Sequence, residues 1–288
     1  MKKLLIPLLA ALLLCGCAAT YDGPATTVMV LNETRTEGFW DSGELAYSYR
    51  TVYAYDIYGN QAQWIEYIDD EAIEKRINRY DEQGNLLRSE DYDLEGWFPK
   101  RTSRTECTYD DLGRVTSVTH DYGGGDKSSY TVTYDDEANT QTNHYTDSIS
   151  VRYYNDAGHL TRIEHSDAEG NLIITDYTLR PDGQHLSATS ITNGVVDFSM
   201  RYEYDDQGRP IRQFATENGV ETEQQRWEYN DEEHYAIRYN SNGSYQVTGY
   251  NADGTEKVQE FWDESGKLQS RTIYYYREIR VPVQEETP

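Results

Sequence analysis

Residues 204–211 read Y-D-D-Q-G-R-P-I, and this short stretch decides the fold of the whole chain. The carboxylate of Asp205 can accept hydrogen bonds from the backbone N–H groups of a turn. Gly208, three residues later, can adopt the left-handed conformation that a type I turn with a G1 bulge requires. The stretch therefore predicts a tight turn that connects two antiparallel strands, with Tyr204 at the end of the first.

The same frame recurs along the chain with a period of about 25 residues. Nine positions are followed, four residues later, by a turn glycine or its replacement: Tyr55, Tyr80, Tyr109, Tyr134, Tyr154, Leu179, Tyr204, Tyr229 and Tyr250. Ala138 and Glu233 replace the glycine in two copies, so we expect those turns to be looser or longer. A second set of turns, such as Asn193-Gly194, falls half a period later. Each repeat thus consists of two strands and two turns.

The alternation of side chains indicates strands throughout the repeats. Phe198, Met200 and Tyr202 share one face of a strand, and no useful run has the spacing of a helix. After several turns apolar residues fall three apart, as Val115 and Val118 do, which indicates either a β-bulge or a sheet with both faces partly covered. We predict an all-β fold: an antiparallel β-meander of tandem hairpin repeats that forms one long, twisted or curled sheet.

The N-terminus has the pattern of a processed signal. Lys2 and Lys3 precede an apolar run, which ends in L-C-G-C at residues 14–17. This ending resembles the bacterial lipoprotein lipobox, and the resemblance implies that Cys17 becomes the first mature residue and carries the lipid. The alternative is an ordinary secretory signal.

These features predict a membrane-anchored protein on the extracytoplasmic side, at the cell surface or in the periplasm. The predicted segments are a signal peptide at 1–16, a lipidated N-terminus and tether at 17–27, the β-repeat domain at 28–280 and a tail at 281–288.

The charge of the chain narrows the classes of partner. The formal net charge is −25 at pH 7, and loss of Lys2 and Lys3 would make it more negative. Such a surface repels nucleic acid phosphates and anionic headgroups, so we expect no nucleic-acid binding. After processing, Cys17 and Cys107 remain, and we interpret Cys107 as a buried small thiol rather than a reactive one.

The Tyr-Asp-x-x-Gly-(Arg/Asn)-apolar frame resembles the YD or Rhs repeat, at residues 80–86, 109–115 and 204–211. The resemblance covers residues 45–268 and implies a long antiparallel sheet, which in larger family members spirals into a shell around a toxin cargo. This chain departs from that pattern, because only residues 281–288 follow the array and no autoproteolysis-type Asp-Pro occurs near the end. The resemblance therefore implies the sheet, and not the delivery function.

Aromatic residues are the first candidate binding groups. The five tryptophans, together with the 27 tyrosines, could form stacking platforms for sugar rings or for a protein partner. The tryptophans are Trp40, Trp64, Trp97, Trp227 and Trp262. The alternative, which we favour, is that these rings form cross-strand pairs that hold the sheet together.

Acidic turns and histidines are the candidate metal ligands. The acidic groups are Asp69-Asp70-Glu71, Asp110-Asp111, Asp135-Asp136 and Asp205-Asp206, and the histidines are His120, His144, His159, His165, His185 and His234. Calcium requires six to eight converging oxygens, whereas these aspartates repeat because turns favour them. His159 and His165 would share a strand face if the strand were regular, but they lack a third ligand. We expect no specific metal site.

No motif of a reaction centre occurs in the sequence. A Gly-x-Ser-x-Gly elbow, a P-loop and an H-E-x-x-H motif are all missing. We therefore expect no enzyme activity and no cofactor, and we interpret the protein as a cell-surface, lipid-anchored, non-catalytic binding or scaffolding module. Its expected partners are the membrane, through the lipid, and a protein or glycan ligand. The alternatives are a carbohydrate-binding surface component and a remnant of a larger Rhs-type toxin-delivery protein.

Overall fold

The computed structural model describes residues 25–283, and all regular structure in this range is β-strand. The strands are β1 (Ala25–Phe39), β2 (Leu45–Tyr55), β3 (Gln61–Ile68), β4 (Glu71–Tyr80), β5 (Leu86–Asp93), β6 (Lys100–Tyr109), β7 (Val115–Asp121), β8 (Lys127–Asp135), β9 (Thr140–His144), β10 (Ser148–Tyr154), β11 (Leu160–Asp167), β12 (Leu172–Leu179), β13 (His185–Thr192), β14 (Val195–Tyr204), β15 (Pro210–Glu217), β16 (Val220–Asn230), β17 (Tyr235–Asn240), β18 (Tyr245–Tyr250), β19 (Glu256–Trp262) and β20 (Leu268–Pro282). The prediction of an all-β chain is confirmed. The segment boundaries predicted for the two ends of the chain stay predictions, and Cys17 lies outside the described residues.

Every strand pairs antiparallel with the strand before it and the strand after it, which confirms the predicted meander. The sequence left open whether the sheet is open, curled or closed. The structure shows that it is closed, because β20 pairs with β1 from Ala25↔Pro282 to Gly38↔Ser270. The twenty strands thus form one closed barrel, in which every strand has two neighbours. Within residues 25–283 no helix has the length and the hydropathy needed to cross a membrane.

The up-and-down order of the strands places the turns at two opposite rims. The nine turns of the Tyr-Asp frame follow β2, β4 and the other even-numbered strands up to β18, and we call this end the first rim. The turns that follow odd-numbered strands form the second rim. The period of the sequence therefore corresponds to one step along the first rim, with two strands in each step.

The first-rim turns have the predicted chemistry. In the turn after β14, Asp205 Oδ1 accepts hydrogen bonds from the backbone N–H of Gln207 at 3.0 Å and of Arg209 at 2.8 Å. Gly208 has a φ of 80°, the left-handed value that favours glycine. The register then shifts by one residue, because Tyr204 pairs with Pro210 while Glu203 pairs with Arg212. The β-bulge is thus the correct one of the two explanations for apolar residues three apart.

The two turns without glycine differ from the expectation. After β8 and β16 the left-handed residue is Asn139 (φ 52°) and His234 (φ 56°), one position later than the glycine of the other turns. Four residues separate the strands in both cases, against five after β14. The prediction of longer turns is wrong, because a shift of the left-handed residue by one position closes the connection without an insertion.

Tyrosine hydroxyls connect successive steps of the first rim. Tyr204 Oη donates to the carbonyl oxygen of His185 at 2.6 Å, and His185 is the first residue of β13. The same bond recurs from Tyr80 to Gln61, from Tyr109 to Leu86, from Tyr134 to Val115 and from Tyr229 to Pro210, at 2.9–3.0 Å. Each tyrosine therefore binds the first residue after the preceding first-rim turn. We call this series the tyrosine ladder.

Arginines at the end of some first-rim turns reinforce the ladder. Arg209 lies over the ring of Tyr229, with 4.1 Å from Cζ to the ring centroid. It also forms ion pairs with Asp205 of its own turn at 2.8 Å and with Asp231 of the next turn at 2.6 Å. Arg114, in the turn eight strands earlier, makes the equivalent contacts with Tyr134, Asp110 and Asp136.

The core is thin and follows the two faces of the sheet. Residues paired across strands share a face, so the register places the tyrosine ladder on one face, which we call the tyrosine face. Ala188, Ala215 and Ala236 are buried there, and each lies opposite a larger side chain such as Met200 or Tyr229. The other face, the charged face, contains Ile65, the most buried large side chain among the described residues. Small residues beneath aromatic rings thus replace a conventional core.

The ends of the described chain lie together at the first rim. Ala25–Leu31 pair only with β20, and the last residues of β20 pair only with β1, so the two segments continue as a two-stranded ribbon. Tyr55 Oη donates to the carbonyl oxygen of Leu31 at 2.8 Å, and Val281 packs against the turn at Gly59. This ribbon completes the ring at the rim where the tyrosine ladder lies.

We expect Tyr204→Phe to lower the free energy of unfolding by about 0.5–1.5 kcal/mol, because it removes the hydroxyl of the ladder and keeps the ring. Urea unfolding monitored by circular dichroism measures the change. Tyr58→Phe is the matched control, since Tyr58 is exposed on the same rim and has no part in the ladder. An equal loss of stability in both variants would contradict the role of the ladder.

Candidate functional site: the charged face and its clefts

Arginines and carboxylates form cross-strand ion pairs over much of the charged face. An Arg-x-Glu pattern occurs six times, at residues 35–37, 88–90, 104–106, 162–164, 201–203 and 226–228. Because side chains alternate along a strand, residues two apart point to the same face, and each arginine can contact its own glutamate and a carboxylate on the next strand. The pattern thus places arginines and carboxylates side by side on this face.

Arg201 shows the geometry of this surface. Its Nε and Nη2 bind both carboxylate oxygens of Glu221 at 2.8 and 2.9 Å, and its Nη1 binds Glu203 at 2.7 Å. Its guanidinium lies 3.8 Å from the ring centroid of Phe214 on the neighbouring strand. Hydrogen bonds to Glu221 and Glu203 raise the pKa of Arg201, and the bond from Arg201 lowers the pKa of Glu221. The arginine is held on three sides.

Glu90 is the buried carboxylate of the charged face, with 6% of its surface exposed. Arg104 binds it through Nε at 3.0 Å and Nη2 at 2.9 Å, and Arg101 lies at 3.7 Å. Burial by itself would raise the pKa of Glu90, but the hydrogen bond and the charge of Arg104 outweigh it and lower that pKa. Glu90 is therefore held as a carboxylate by its arginines.

A cleft of 440 Å³ opens on the charged face at the junction of β1, β2 and β3. Arg50 lines this cleft, stacks on Tyr67 at 4.4 Å and lies 3.6 Å from both Glu33 and Asp70. Asp69 and Asp70 form the adjoining turn, with left-handed φ values of 49° and 63°. The cations of this cleft are matched by neighbouring carboxylates, so it has no excess positive charge for an anion.

A second cleft, of 390 Å³, lies beside a row of aromatic rings. Tyr239, Tyr245 and Trp262 are paired across three strands, and their neighbouring ring centroids are 5.9 and 5.8 Å apart. The planes of Tyr245 and Trp262 differ by 3°, and Arg226 lies over Tyr239 at 4.9 Å. The lining of the cleft is polar: Glu223, Gln224, Gln225, Arg226, Tyr239, Asn240, Ser241 and Gly243. A row of rings with polar groups beside it is suited to binding amphipathic molecules.

The five tryptophans lie in three different parts of the structure. Trp40 and Trp97 are exposed in second-rim loops, and Trp262 belongs to the aromatic row. Trp64 and Trp227 lie on the tyrosine face, each paired with an arginine, Arg76 and Arg238 respectively. The tryptophans therefore form no common platform, and the interpretation of cross-strand contacts holds for Trp64, Trp227 and Trp262.

The first aspartates of the acidic turns accept hydrogen bonds from backbone N–H groups, as the sequence predicted. Asp110 accepts N–H bonds from Leu112 at 3.0 Å and from Arg114 at 2.9 Å, and Asp135 accepts from Glu137 and Ala138. The second aspartates differ, since Asp136 instead binds an arginine of the preceding turn. Among residues 25–283 no three His, Cys, Asp or Glu side chains are grouped as metal ligands would be.

The histidines have separate surroundings. His120 and His144 form hydrogen bonds with Thr105 and Thr133, and His185 packs edge-on against Tyr177. His159 lies in the turn before β11, and a bulge separates it from His165, so these two do not share a regular strand. Cys107 is half-buried rather than buried, and burial raises the pKa of its thiol. Cys17, the predicted lipid site, lies outside the described residues.

Sequence reasoning missed the charged face and the contacts between turns. The Arg-x-Glu pattern could have indicated the charged face, because residues two apart lie on the same side of a strand. The contacts between turns join residues 22 apart, such as Arg209 and Asp231, and this separation is close to the repeat period. An arginine in one turn and an aspartate in the next could thus have been linked from the repeat alone.

Comparison with known proteins gives weak likenesses only. No protein-family model and no curated protein matches the chain. Three solved structures each align with more than 80% of the chain. The Photorhabdus luminescens Tc holotoxin pore has a TM-score of 0.30 and 13% identity, over 81% of this chain and 17% of that chain.

A porin-like protein from Bacteroides uniformis has a TM-score of 0.39 and 10% identity, over 88% of this chain and 99% of that one. The TcdB2-TccC3-TEV structure has a TM-score of 0.26 and 14% identity, over 82% and 16%. The chain thus spans less than a fifth of the Tc toxin chains. At these scores the likenesses carry no argument about function.

We expect Arg104→Gln to raise the pKa of Glu90, because burial then acts on a carboxylate that has lost its main partner. With its folded pKa below the unfolded value, Glu90 stabilises the wild type above the unfolded pKa, and this contribution is lost as the pH falls through the folded pKa. If the pKa of Glu90 in the folded variant rises above its unfolded value, the pH dependence of this contribution reverses. A fall in pH between the two pKa values then stabilises the folded variant through Glu90.

Thermal unfolding between pH 7 and pH 3, with an NMR titration of Glu90, measures both effects. Arg212→Gln is the matched control, since Arg212 pairs with Glu223 at 3.5 Å where both side chains are about half exposed. An unchanged Glu90 titration in Arg104→Gln would show that Arg104 does not control the carboxylate.

Proposed function

We propose that the protein is a lipid-anchored, non-catalytic binding or scaffolding module of the bacterial cell envelope. The observation that supports this role most directly is the use of its polar side chains. Tyrosine hydroxyls donate to carbonyls, turn aspartates accept backbone N–H groups, and carboxylates of the charged face pair with arginines. Many of the groups that could supply acid–base chemistry thus help to hold the ring together.

The closed ring supports presentation of a ligand surface. A closed sheet whose unpaired strand edges are confined to the short ribbon of β1 and β20 offers little edge for pairing with another chain, so recognition would use its faces and its turns. Turns on a rigid scaffold are frequent positions for binding residues. The ladder and the turn arginines tie the first-rim turns to their neighbours, which favours a frame of fixed shape.

The course of β1 favours an anchor at the first rim. β1 begins at Ala25, in the ribbon at that rim, and Cys17 precedes it by eight residues. Eight extended residues span at most about 29 Å. A lipid on Cys17 would therefore hold the first rim near the membrane and leave the second rim toward the solvent.

We expect Cys17→Ser to abolish incorporation of a labelled fatty acid and to release the protein from the membrane fraction. Bacterial lipid anchors of this type attach through the sulfur of the cysteine, which serine lacks. Metabolic labelling and surface labelling of whole cells measure the two effects. Cys107→Ser is the matched control and should change neither.

Equal labelling of wild type and Cys17→Ser would contradict the anchor. Turnover of a glycan or peptide by the purified wild type, abolished by one carboxylate substitution, would contradict the non-catalytic role.

The aromatic row favours a second candidate function, the binding of carbohydrate. Tyr239 lines the cleft that contains Glu223, Gln225 and Asn240, and the rings of Tyr245 and Trp262 continue the row from it. Sugars present both apolar C–H faces and hydroxyl groups, and rings beside amide and carboxylate groups can bind both.

If this row binds glycans, Trp262→Ala should weaken binding on a glycan array at least tenfold, because it removes the end ring of the row. Trp227→Ala is the matched control, since Trp227 lies on the opposite face of a nearby strand. Equal binding by the wild type and Trp262→Ala, or no glycan bound at all, would count against carbohydrate recognition.

A further inference from the structure

The exposed apolar side chains are concentrated at one end of the ring. Eight large apolar side chains are at least 60% exposed among the described residues, and seven of them belong to the second rim. They are Trp40, Trp97, Phe98, Tyr122, Val195, Val196 and Val220. The single first-rim member is Leu112. Exposed apolar groups gathered in one region mark interaction surfaces more often than groups scattered singly.

The exposed apolar residues form an aromatic and an aliphatic part. Trp97 and Phe98, at 80% and 83% exposed, lie in the loop between β5 and β6, and Tyr122 lies in the next turn of the same rim. Val195 and Val220 begin β14 and β16, so they belong to adjacent second-rim turns. Neighbouring turns of one rim are two strands apart, about 10 Å. Each part is thus wide enough to contact several side chains of one partner.

The charge of the second rim is strongly negative. Between the strands that it joins, the turns contain ten acidic residues, Asp41, Glu44, Asp69, Asp70, Glu95, Asp126, Asp147, Glu169, Asp263 and Glu264, and one basic residue, Lys267. Apolar side chains surrounded by carboxylates complement a partner that has apolar and basic side chains together. The same charge repels nucleic acid and an anionic bilayer.

The position of the second rim leaves it accessible. The described chain begins and ends in the ribbon at the first rim, so no neighbouring segment of residues 25–283 covers the opposite end. The first-rim turns are linked to one another by tyrosines and arginines, whereas the most exposed second-rim residues lie in loops and at strand starts.

We propose that the second rim is a docking surface for a basic polypeptide segment with aromatic or aliphatic side chains. This inference rests on the proposed binding role and names the chemistry of its partner. The apolar rim residues supply the contact area, and the ring of carboxylates selects lysine- and arginine-rich segments. Added salt should weaken the complex, because surface charges supply part of the attraction.

Two synthetic helical peptides of equal charge test the proposal, one built of lysine and leucine and the other of lysine and serine. Their affinity for the full chain is measured by fluorescence anisotropy at 0.15 M salt, beside vesicles of phosphatidylcholine. We expect the lysine–leucine peptide to bind at least tenfold more tightly than the lysine–serine peptide.

Two variants locate the site. Trp97→Ser combined with Phe98→Ser removes the aromatic part, and Val195→Ser combined with Val220→Ser removes part of the aliphatic region. At least one should weaken binding of the lysine–leucine peptide tenfold. Leu112→Ser, at the first rim, is the matched control and should leave the affinity unchanged. Circular dichroism verifies that each variant is folded.

Equal affinity for both peptides would overturn the proposal, since charge alone would then explain binding. Equal weakening by Leu112→Ser would also overturn it, as would vesicle binding without peptide binding. Such a failure would leave the anchored, non-catalytic module standing, because the Cys17→Ser and turnover experiments do not involve the second rim.

Discussion

The tyrosine ladder, in which Tyr80, Tyr109, Tyr134, Tyr204 and Tyr229 each donate a hydrogen bond to the strand before their own, is the constraint on which the structure depends. A ring of twenty strands with two-residue periodicity has two faces and little interior per residue, so a conventional apolar core is missing from most of it. The bond from Tyr204 to His185 instead joins successive repeats through a side chain that is apolar along its ring and polar at its end. Each carbonyl that accepts a ladder bond follows a turn with a β-bulge, as Pro210, the acceptor of Tyr229, does where it pairs with Tyr204. Turn, bulge and tyrosine thus form one unit.

The fold accommodates its excess of negative charge because several arginines each contact more than one partner. A single exposed ion pair contributes little, since solvent screens it and two side chains are ordered. Arg201, however, contacts two carboxylates and a ring, and Arg209 connects two turns and the next tyrosine. Each of these arginines therefore offsets more than one carboxylate. Removal of such a residue would disturb several strands, whereas the loss of a peripheral pair would disturb one.

Much of the fold could be predicted from the sequence, because its determinants are local. The glycine of residues 204–211 and the alternation before it specify turn and strand within one repeat. Closure is different. It depends on β1 and β20, whose pairing joins Ala25 to Pro282 and whose sequences lack the Tyr-Asp frame. A single repeat encodes neither the number of strands nor the partner of the last strand. The sequence alone therefore did not determine whether the sheet is open or closed. The aromatic row was hidden for the same reason, since Tyr239, Tyr245 and Trp262 come from three different strands.

Closure also determines which surfaces remain for recognition. An open sheet of this length would present two edge strands, and edges attract further strands without much selectivity. Once β20 has paired with β1, unpaired edges are confined to the short ribbon at the first rim, and mainly the faces and rims remain. The tyrosine face is occupied by the ladder, and much of the charged face by ion pairs that are already matched. The second rim differs from both, because its apolar side chains are exposed and its carboxylates are largely without nearby bases. A ring that uses many of its polar groups for its own assembly therefore has most of its highly exposed apolar side chains at the rim opposite to the ends of the described range, residues 25 and 283.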